Sequence, residues 1–152
     1  MSQGFASRGA RRLVLALTIV LLSSGYAHAQ QKRVVPGPKE LPYSEAIVVG
    51  NTLYIAGQGG TDESGKLKPG GIGPETQATL ENLANVVKAA GFELKDVVAV
   101  TVYLADMKEF SEMNKVCRKF MPDPKPTRTT VQVVALYDNA RIEISAIAVK
   151  QP

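Results

Sequence analysis

Eight consecutive residues, Val97 to Leu104 (VVAVTVYL), constrain this chain more than any other stretch. They are β-branched or aromatic almost throughout and apolar at both alternating positions, the pattern of a strand covered on both faces. Such a strand cannot sit at the edge of a small open sheet. The elements around it supply cover for one face only. Before it, Thr76 to Ala90 reads as an amphipathic helix, with Leu80, Leu83, Val87 and Ala90 on one side and Gly91 in place for a C-terminal cap. After it, Asp106 and Glu109 form a capping-box pattern, and Phe110, Met113, Cys117, Phe120 and Met121 stripe one side of a second helix.

The remaining elements are strands. An extended piece around Lys32 to Val35 reads as an edge strand. The runs Glu45 to Val49 and Thr52 to Gly57 flank Gly50-Asn51, which suits a two-residue hairpin turn because both residues tolerate positive φ. Near the C-terminus, Pro124 and Pro126 bar a helix, and Thr129, Thr130, Val131 and Val133 favour an extended chain that Arg128 opens. Arg141 to Val149 (RIEISAIAV) is the last strand, with Glu143 and Ser145 opposite Ile142, Ile144, Ala146 and Ala148. The predicted fold is α+β: a single mixed β-sheet with two helices packed on one face. Its other face is left for a second copy to cover, so an oligomer is expected.

The glycine-rich stretch Gly57 to Gly73 contains one near miss. Gly60 to Lys66 fits the first seven positions of a phosphate-binding loop, but Leu67 stands where Ser or Thr would hold magnesium, and Pro69-Gly70-Gly71 prevents the helix that would present its amides. The segment is read as a surface loop.

Residues 1–29 form a unit of their own. Arg8, Arg11 and Arg12 precede Leu13 to Leu22, nine of whose ten residues are apolar, and small residues end at Ala27-His28-Ala29. That is the pattern of a secretory signal peptide cut after Ala29, too short for a permanent anchor, and its surroundings fit the general export route better than the twin-arginine one. Residues 30–152 are then one domain, expected to be periplasmic or secreted. The chain has 18 Lys and Arg against 14 Asp and Glu, and the segment removes three arginines and no acid. The remainder is within one charge of neutral, so the basic balance does not argue for a nucleic-acid or membrane-surface partner. His28, the only histidine, leaves too, and Cys117 is the only cysteine. An internal disulfide, a His/Cys zinc cluster and a histidine base are thereby ruled out, and Cys117 reads as a core thiol.

Two charges stand out at strand mouths, Arg128 and Glu143. Taken alone they fit a structural ion pair or two solvated strand ends as well as a site. The motifs around them are more specific. PYSEAI (Pro42 to Ile47), YIAGQ (Tyr54 to Gln58), TVYLADM from Thr101, Asn114, PTRTTVQV and IEISAIAV follow one another in an order that resembles the RidA (YjgF) family of enamine/imine deaminases, over nearly the whole chain after residue 35.

The resemblance implies a homotrimer of a chorismate-mutase-like fold, with clefts between subunits and no cofactor or metal. It implies that Arg128 binds the carboxylate of a small 2-imino or 2-keto acid and that Glu143 positions the attacking water. It also implies that Tyr43, the Gly57 backbone, Asn114 and Thr130 line the cleft; the first three suit fold maintenance equally well. The chain departs from the family's pattern at Thr130, where many members have Cys, and at Gln58-Gly59-Gly60, where Gln-Ile-Pro is usual. The expected reaction is hydrolysis of 2-aminoacrylate-type imines to 2-keto acids and ammonia. Two alternatives are an exported trimeric binding module for small carboxylates without turnover, and the ribonuclease activity attributed to some relatives, against which the near-neutral domain argues.

Overall fold

The computed structural model describes residues 31–37 and 41–151. The export segment and its cleavage point therefore lie outside the described residues. The elements are β1 (Lys32–Val35), β2 (Ala46–Val49), β3 (Thr52–Gly59), α1 (Ile72–Ala89), β4 (Val97–Leu104), α2 (Phe110–Phe120), β5 (Thr127–Gln132) and β6 (Ile142–Val149). They build one six-stranded sheet in the order β1-β2-β3-β6-β4-β5, mixed because β4 and β5 run parallel while every other pair is antiparallel. The expected class, the single mixed sheet and the edge position of β1 are all observed.

The connections explain why both helices lie on one face. β3 to β4 through α1 and β4 to β5 through α2 are both parallel crossovers that step in the same direction across the sheet. Crossovers of one hand stepping one way place their helices on the same side. α1 and α2 pack against each other there, and α1 covers β3 and β6. β6 inserts antiparallel between β3 and β4, which the linear order of elements does not reveal. Its small helix-side residues suit that position: Ile142, Ile144, Ala146 and Ala148 are all buried beneath the helices. Leu53, Leu80, Leu83, Val102, Leu104 and Met113 complete the centre of the core, each fully buried.

Several local expectations are corrected. α1 starts at Ile72 rather than Thr76, directly after Gly71 at φ 91°; Pro74 falls within the first turn, where its missing N–H costs nothing. The helix ends as expected at Gly91 (φ 82°), where the N–H of Phe92 donates to Val87 O at 3.0 Å and that of Gly91 to Lys88 O at 2.9 Å, a Schellman closure. In the hairpin turn only Gly50 takes positive φ, at 60°. The Asp106/Glu109 capping box does not form. Asp106 Oδ1 accepts from the Lys108 N–H at 2.9 Å, whereas Glu109 is drawn away to pair with Arg141; a charge-assisted partner outbids a backbone amide. β5 opens at Thr127, one residue before Arg128.

The far face of the sheet carries no helix. β4 alternates between buried Val100, Val102 and Leu104 on the helix side and half-covered Thr101 and Tyr103 on the other. Tyr54, Ile147 and Val131 are exposed on that same bare side, an apolar surface of the kind that a second copy covers.

Candidate active site

Strand register decides which candidate residues can meet. Arg128 on β5 stands beside Val100 on β4, which in turn stands beside Ala146 on β6. Val100 and Ala146 are buried under the helices, so Arg128 is on the helix side as well. Glu143 stands beside Tyr103 and Gly59, between the buried Ile142 and Ile144, and thus on the bare side. The two α-carbons are two strands and three residues apart, roughly 14 Å from ordinary sheet spacings, with side chains on opposite faces. One chain cannot bring Arg128 and Glu143 into a single cleft.

Each charge sits in a hollow of its own. Arg128 lines a pocket of about 520 Å³ between α2 and the sheet, together with Asn114, Arg118 and Cys117 of the helix. Its guanidinium carbon lies 5.5 Å from the centre of the Phe110 ring, a cation–π contact that holds the fork in place without using its N–H donors. Phe110, read in the sequence as one of a core stripe, is partly buried, packs against the core and makes this contact as well. Arg118 and Lys125 add positive charge to the pocket wall, although Lys125 Nζ is committed to the end of α2, donating to Arg118 O at 3.1 Å and to Met121 O. Cys117 is buried beside the guanidinium. Desolvation raises its thiol pKa, and the nearby Arg128 charge offsets that only in part, so Cys117 is the inert core thiol expected. Thr130, two residues along on the same face, has a buried hydroxyl with no hydrogen-bond partner. The core hydroxyl of Thr76 is in the same state, and Thr130 is not among the residues that line the pocket.

Glu143 lines the second hollow, about 680 Å³, with Tyr43, Gly57 and the Tyr137–Asn139 turn. β3 bulges between Ile55 and Gln58, which turns Gly57 toward the carboxylate. A β-carbon built at Gly57 would lie 2.1 Å from Glu143 Oε1. The glycine is there to admit the carboxylate, a close-approach role rather than one of strand-end flexibility. Tyr43 is more than half exposed, which removes the reading of it as a hydrogen-bonded packing residue. Tyr137 and Asp138 also line this hollow, although neither belongs to a sequence motif. Asp138 and Asn139 adopt φ 54° and 60°, and the Asp-Asn pair was the available signal, since these residues tolerate the left-handed region best after glycine.

The candidate residues therefore fall into two groups, Arg128, Asn114 and Thr130 on the helix side and Tyr43, Gly57 and Glu143 on the bare side. Neither Arg128 nor Glu143 has an ion-pair partner among the described residues, so the charges do not form a structural pair within the chain. No three His, Cys, Asp or Glu side chains among the described residues gather as a metal site.

Residues 36–150 match the family described as Endoribonuclease L-PSP. The chain is 45% identical over 112 residues to the 2-iminobutanoate/2-iminopropanoate deaminase of Mus musculus, covering 73% of this chain and 83% of that protein. Among solved structures it is similar to RidA from the Antarctic bacterium Psychrobacter sp., with TM-score 0.71, 35% identity and coverage of 80% of this chain and 98% of that one. It is similar also to E. coli TdcF with bound serine, with TM-score 0.72, 28% identity and coverage of 78% and 99%.

The contact between Gly57 and Glu143 makes a direct prediction. In Gly57→Ala the new methyl meets only the mobile end of a side chain, so thermal stability should change by no more than a few degrees, within about 1 kcal/mol. The Glu143 carboxylate must move off β3, and a crystal structure of the variant should show it displaced by roughly an ångström or more. An unmoved carboxylate would refute the close-approach role of Gly57.

Proposed function

The chain belongs to the Endoribonuclease L-PSP family, the RidA family of the sequence analysis, and from that premise we propose how its two half-sites carry out the reaction. The protein is an enamine/imine deaminase. It is a hydrolase of C=N bonds, which converts 2-imino acids to 2-keto acids and ammonia; its curated relatives in mouse and cattle are named 2-iminobutanoate/2-iminopropanoate deaminase. The observation that carries the reading is the pair of uncommitted charges, Arg128 and Glu143, each in an open hollow and each within a family motif.

The working cleft is formed between two subunits of a homotrimer, the assembly typical of the family. One subunit contributes Arg128, Asn114 and Thr130 from the edge strand β5 and the helix α2; its neighbour contributes Tyr43, Gly57 and Glu143 from its bare face. Support comes from the opposite-face placement, which leaves each half-site short of the other, and from the exposed apolar side chains around Glu143. The Arg128 guanidinium grips the substrate carboxylate through two parallel hydrogen bonds. Glu143 takes a proton from water as the oxygen attacks the C=N carbon of the protonated imine, giving a neutral tetrahedral carbinolamine. It then returns that proton to nitrogen and takes the one on the carbinolamine hydroxyl as the C–N bond breaks, so that ammonia leaves, the hydroxyl oxygen becomes the carbonyl of the keto acid, and the last proton passes from Glu143 to the released ammonia. Imines already hydrolyse in water, so a positioned base worth roughly 10² to 10⁴, with orientation of the substrate, suffices. A binding module without turnover finds no support among the relatives.

We also propose that residues 1–29 direct export and are removed after Ala29, a reading supported by the three arginines, the short apolar run and the Ala27-His28-Ala29 ending. The deaminase would then meet imines outside the cytoplasm.

Two tests follow. With imine generated in situ by an amino-acid oxidase and trapped by semicarbazide, Glu143→Gln should lose turnover by roughly 10² or more while still binding pyruvate-like acids. Arg128→Ala should weaken that binding more than tenfold, from the loss of a charge-assisted contact worth about 1.5–3 kcal/mol. Glu143→Gln turning over at the wild-type rate would remove its role as base. Mass spectrometry of the protein from fractionated cells should find an N-terminus at Gln30 outside the cytoplasm; intact residues 1–29 on cytoplasmic protein would refute export.

A further inference from the structure

Glu75, in the first turn of α1, is only 4% exposed, and none of the salt bridges among the described residues involves it. A buried carboxyl without a cation is costly unless it is hydrogen-bonded, and an apolar side chain of similar size would avoid the cost. What this one holds is backbone. Arg141 lies beyond the last ladder pairs of β6, Leu104 with Ile142 and Gly59 with Glu143, so its N–H has no strand to donate to. It donates instead to Glu75 Oε1 at 2.6 Å. The Arg141 carbonyl accepts from the Ala105 N–H at 2.9 Å, and its guanidinium is taken by Glu109. Glu75 also lies against the chain just past β3: a β-carbon built at Gly60 would be 2.5 Å from Glu75 O and 2.6 Å from its Cγ, so only glycine admits the helix there. Asn82, seven residues on and thus on the same side of α1, donates from Nδ2 to Gly59 O and to Thr61 O, both at 2.9 Å.

These contacts converge on one place. Gly59 is the β3 residue paired with Glu143, and Arg141 stands two residues before Glu143. We propose that Glu75 and Asn82 are positioning residues for the base: from the helix face, α1 grips the backbone on both strands at Glu143 and so fixes where its carboxylate stands on the bare face. The inference rests on the assignment of Glu143 as base. Neither Glu75 nor Asn82 lines the hollow that holds Glu143, so each acts through the backbone. Three of the four residues from Gly57 to Gly60 have no side chain to pack, and this end of β3 therefore depends on hydrogen bonds for its position. Without them the end of the β3–β6 ladder frays. A base misplaced by about an ångström costs roughly 10²-fold in rate, even when the change lies far from the chemistry.

The test measures kcat of the mature protein on imine made in situ, together with calorimetric binding of pyruvate, which depends on Arg128. Glu75→Met, of similar length but without an acceptor, should lower kcat by roughly ten- to a hundredfold while pyruvate affinity is unchanged. Glu75→Gln keeps an oxygen for the Arg141 N–H and should recover most of the loss. Asn82→Ala should lower kcat with the same split. The proposal is overturned by a folded Glu75→Met with wild-type kcat, by a loss shared equally between kcat and pyruvate affinity, or by a Glu75→Gln as slow as Glu75→Met. If Glu75→Met does not fold, Asn82→Ala decides by the same split. If the wild type hydrolyses no imine, or Glu143→Gln stays fully active, the deaminase reading or the role of Glu143 as base fails separately, and a crystal structure of Asn82→Ala decides the positioning. A Glu143 carboxylate displaced from Gly57 by about an ångström or more would support it, and an unmoved one would overturn it.

Discussion

The alternation of side chains along a strand governs how this protein can work. Because successive residues point to opposite faces, the register that places Arg128 beside Val100 and Glu143 beside Tyr103 puts the two charges on opposite sides of one sheet. No change of rotamer brings them together. The sheet is continuous between them, with β4 in the way. A reaction that needs both groups at one carbon must draw them from two chains.

The energetics of the isolated subunit are consistent with this division. Arg128 is exposed and Glu143 partly buried in the single chain, so each charge is solvated there and neither needs an internal partner. Arg128 lies over the Phe110 ring, its guanidinium carbon 5.5 Å from the ring centre, and has no ion-pair partner among the described residues. Glu143 is admitted close to β3 because position 57 has no side chain. By contrast, the structural ion pair of this region, Arg141 with Glu109, is fully committed and ties β6 to the segment before α2. The chain thus separates the charges that hold it together from Arg128 and Glu143, which have no ion-pair partner among the described residues.

Much of this was legible in the sequence, and the parts that were not have physical reasons. Periodicity located β6 and both helices because each buries one face, an unbroken apolar run located β4, and Gly91 marked its helix end because only glycine takes φ 82° without strain. The start of α1 was misjudged because Pro74 reads as a breaker although it is harmless in a first turn. The Asp106/Glu109 box failed through a long-range competitor, Arg141, invisible to local pattern. Strand order was equally hidden: nothing in RIEISAIAV states that it lies between β3 and β4, and without that order the faces of Arg128 and Glu143 cannot be compared. The candidate residues were found through motifs, while their division into two groups, and the parts played by Phe110 and the Tyr137–Asn139 turn, required the fold.

The shared cleft is the central claim, and subunit mixing tests it most directly. Arg128→Ala and Glu143→Gln, each impaired alone, would be unfolded and refolded together in equal amounts. If one subunit supplies the arginine half and its neighbour the glutamate half, random assembly of trimers pairs two intact halves in roughly a quarter of the clefts, and imine hydrolysis should recover to about a quarter of the wild-type rate. Were both groups drawn from one chain, every cleft would carry one of the two defects, and the mixture would stay no more active than the separate variants.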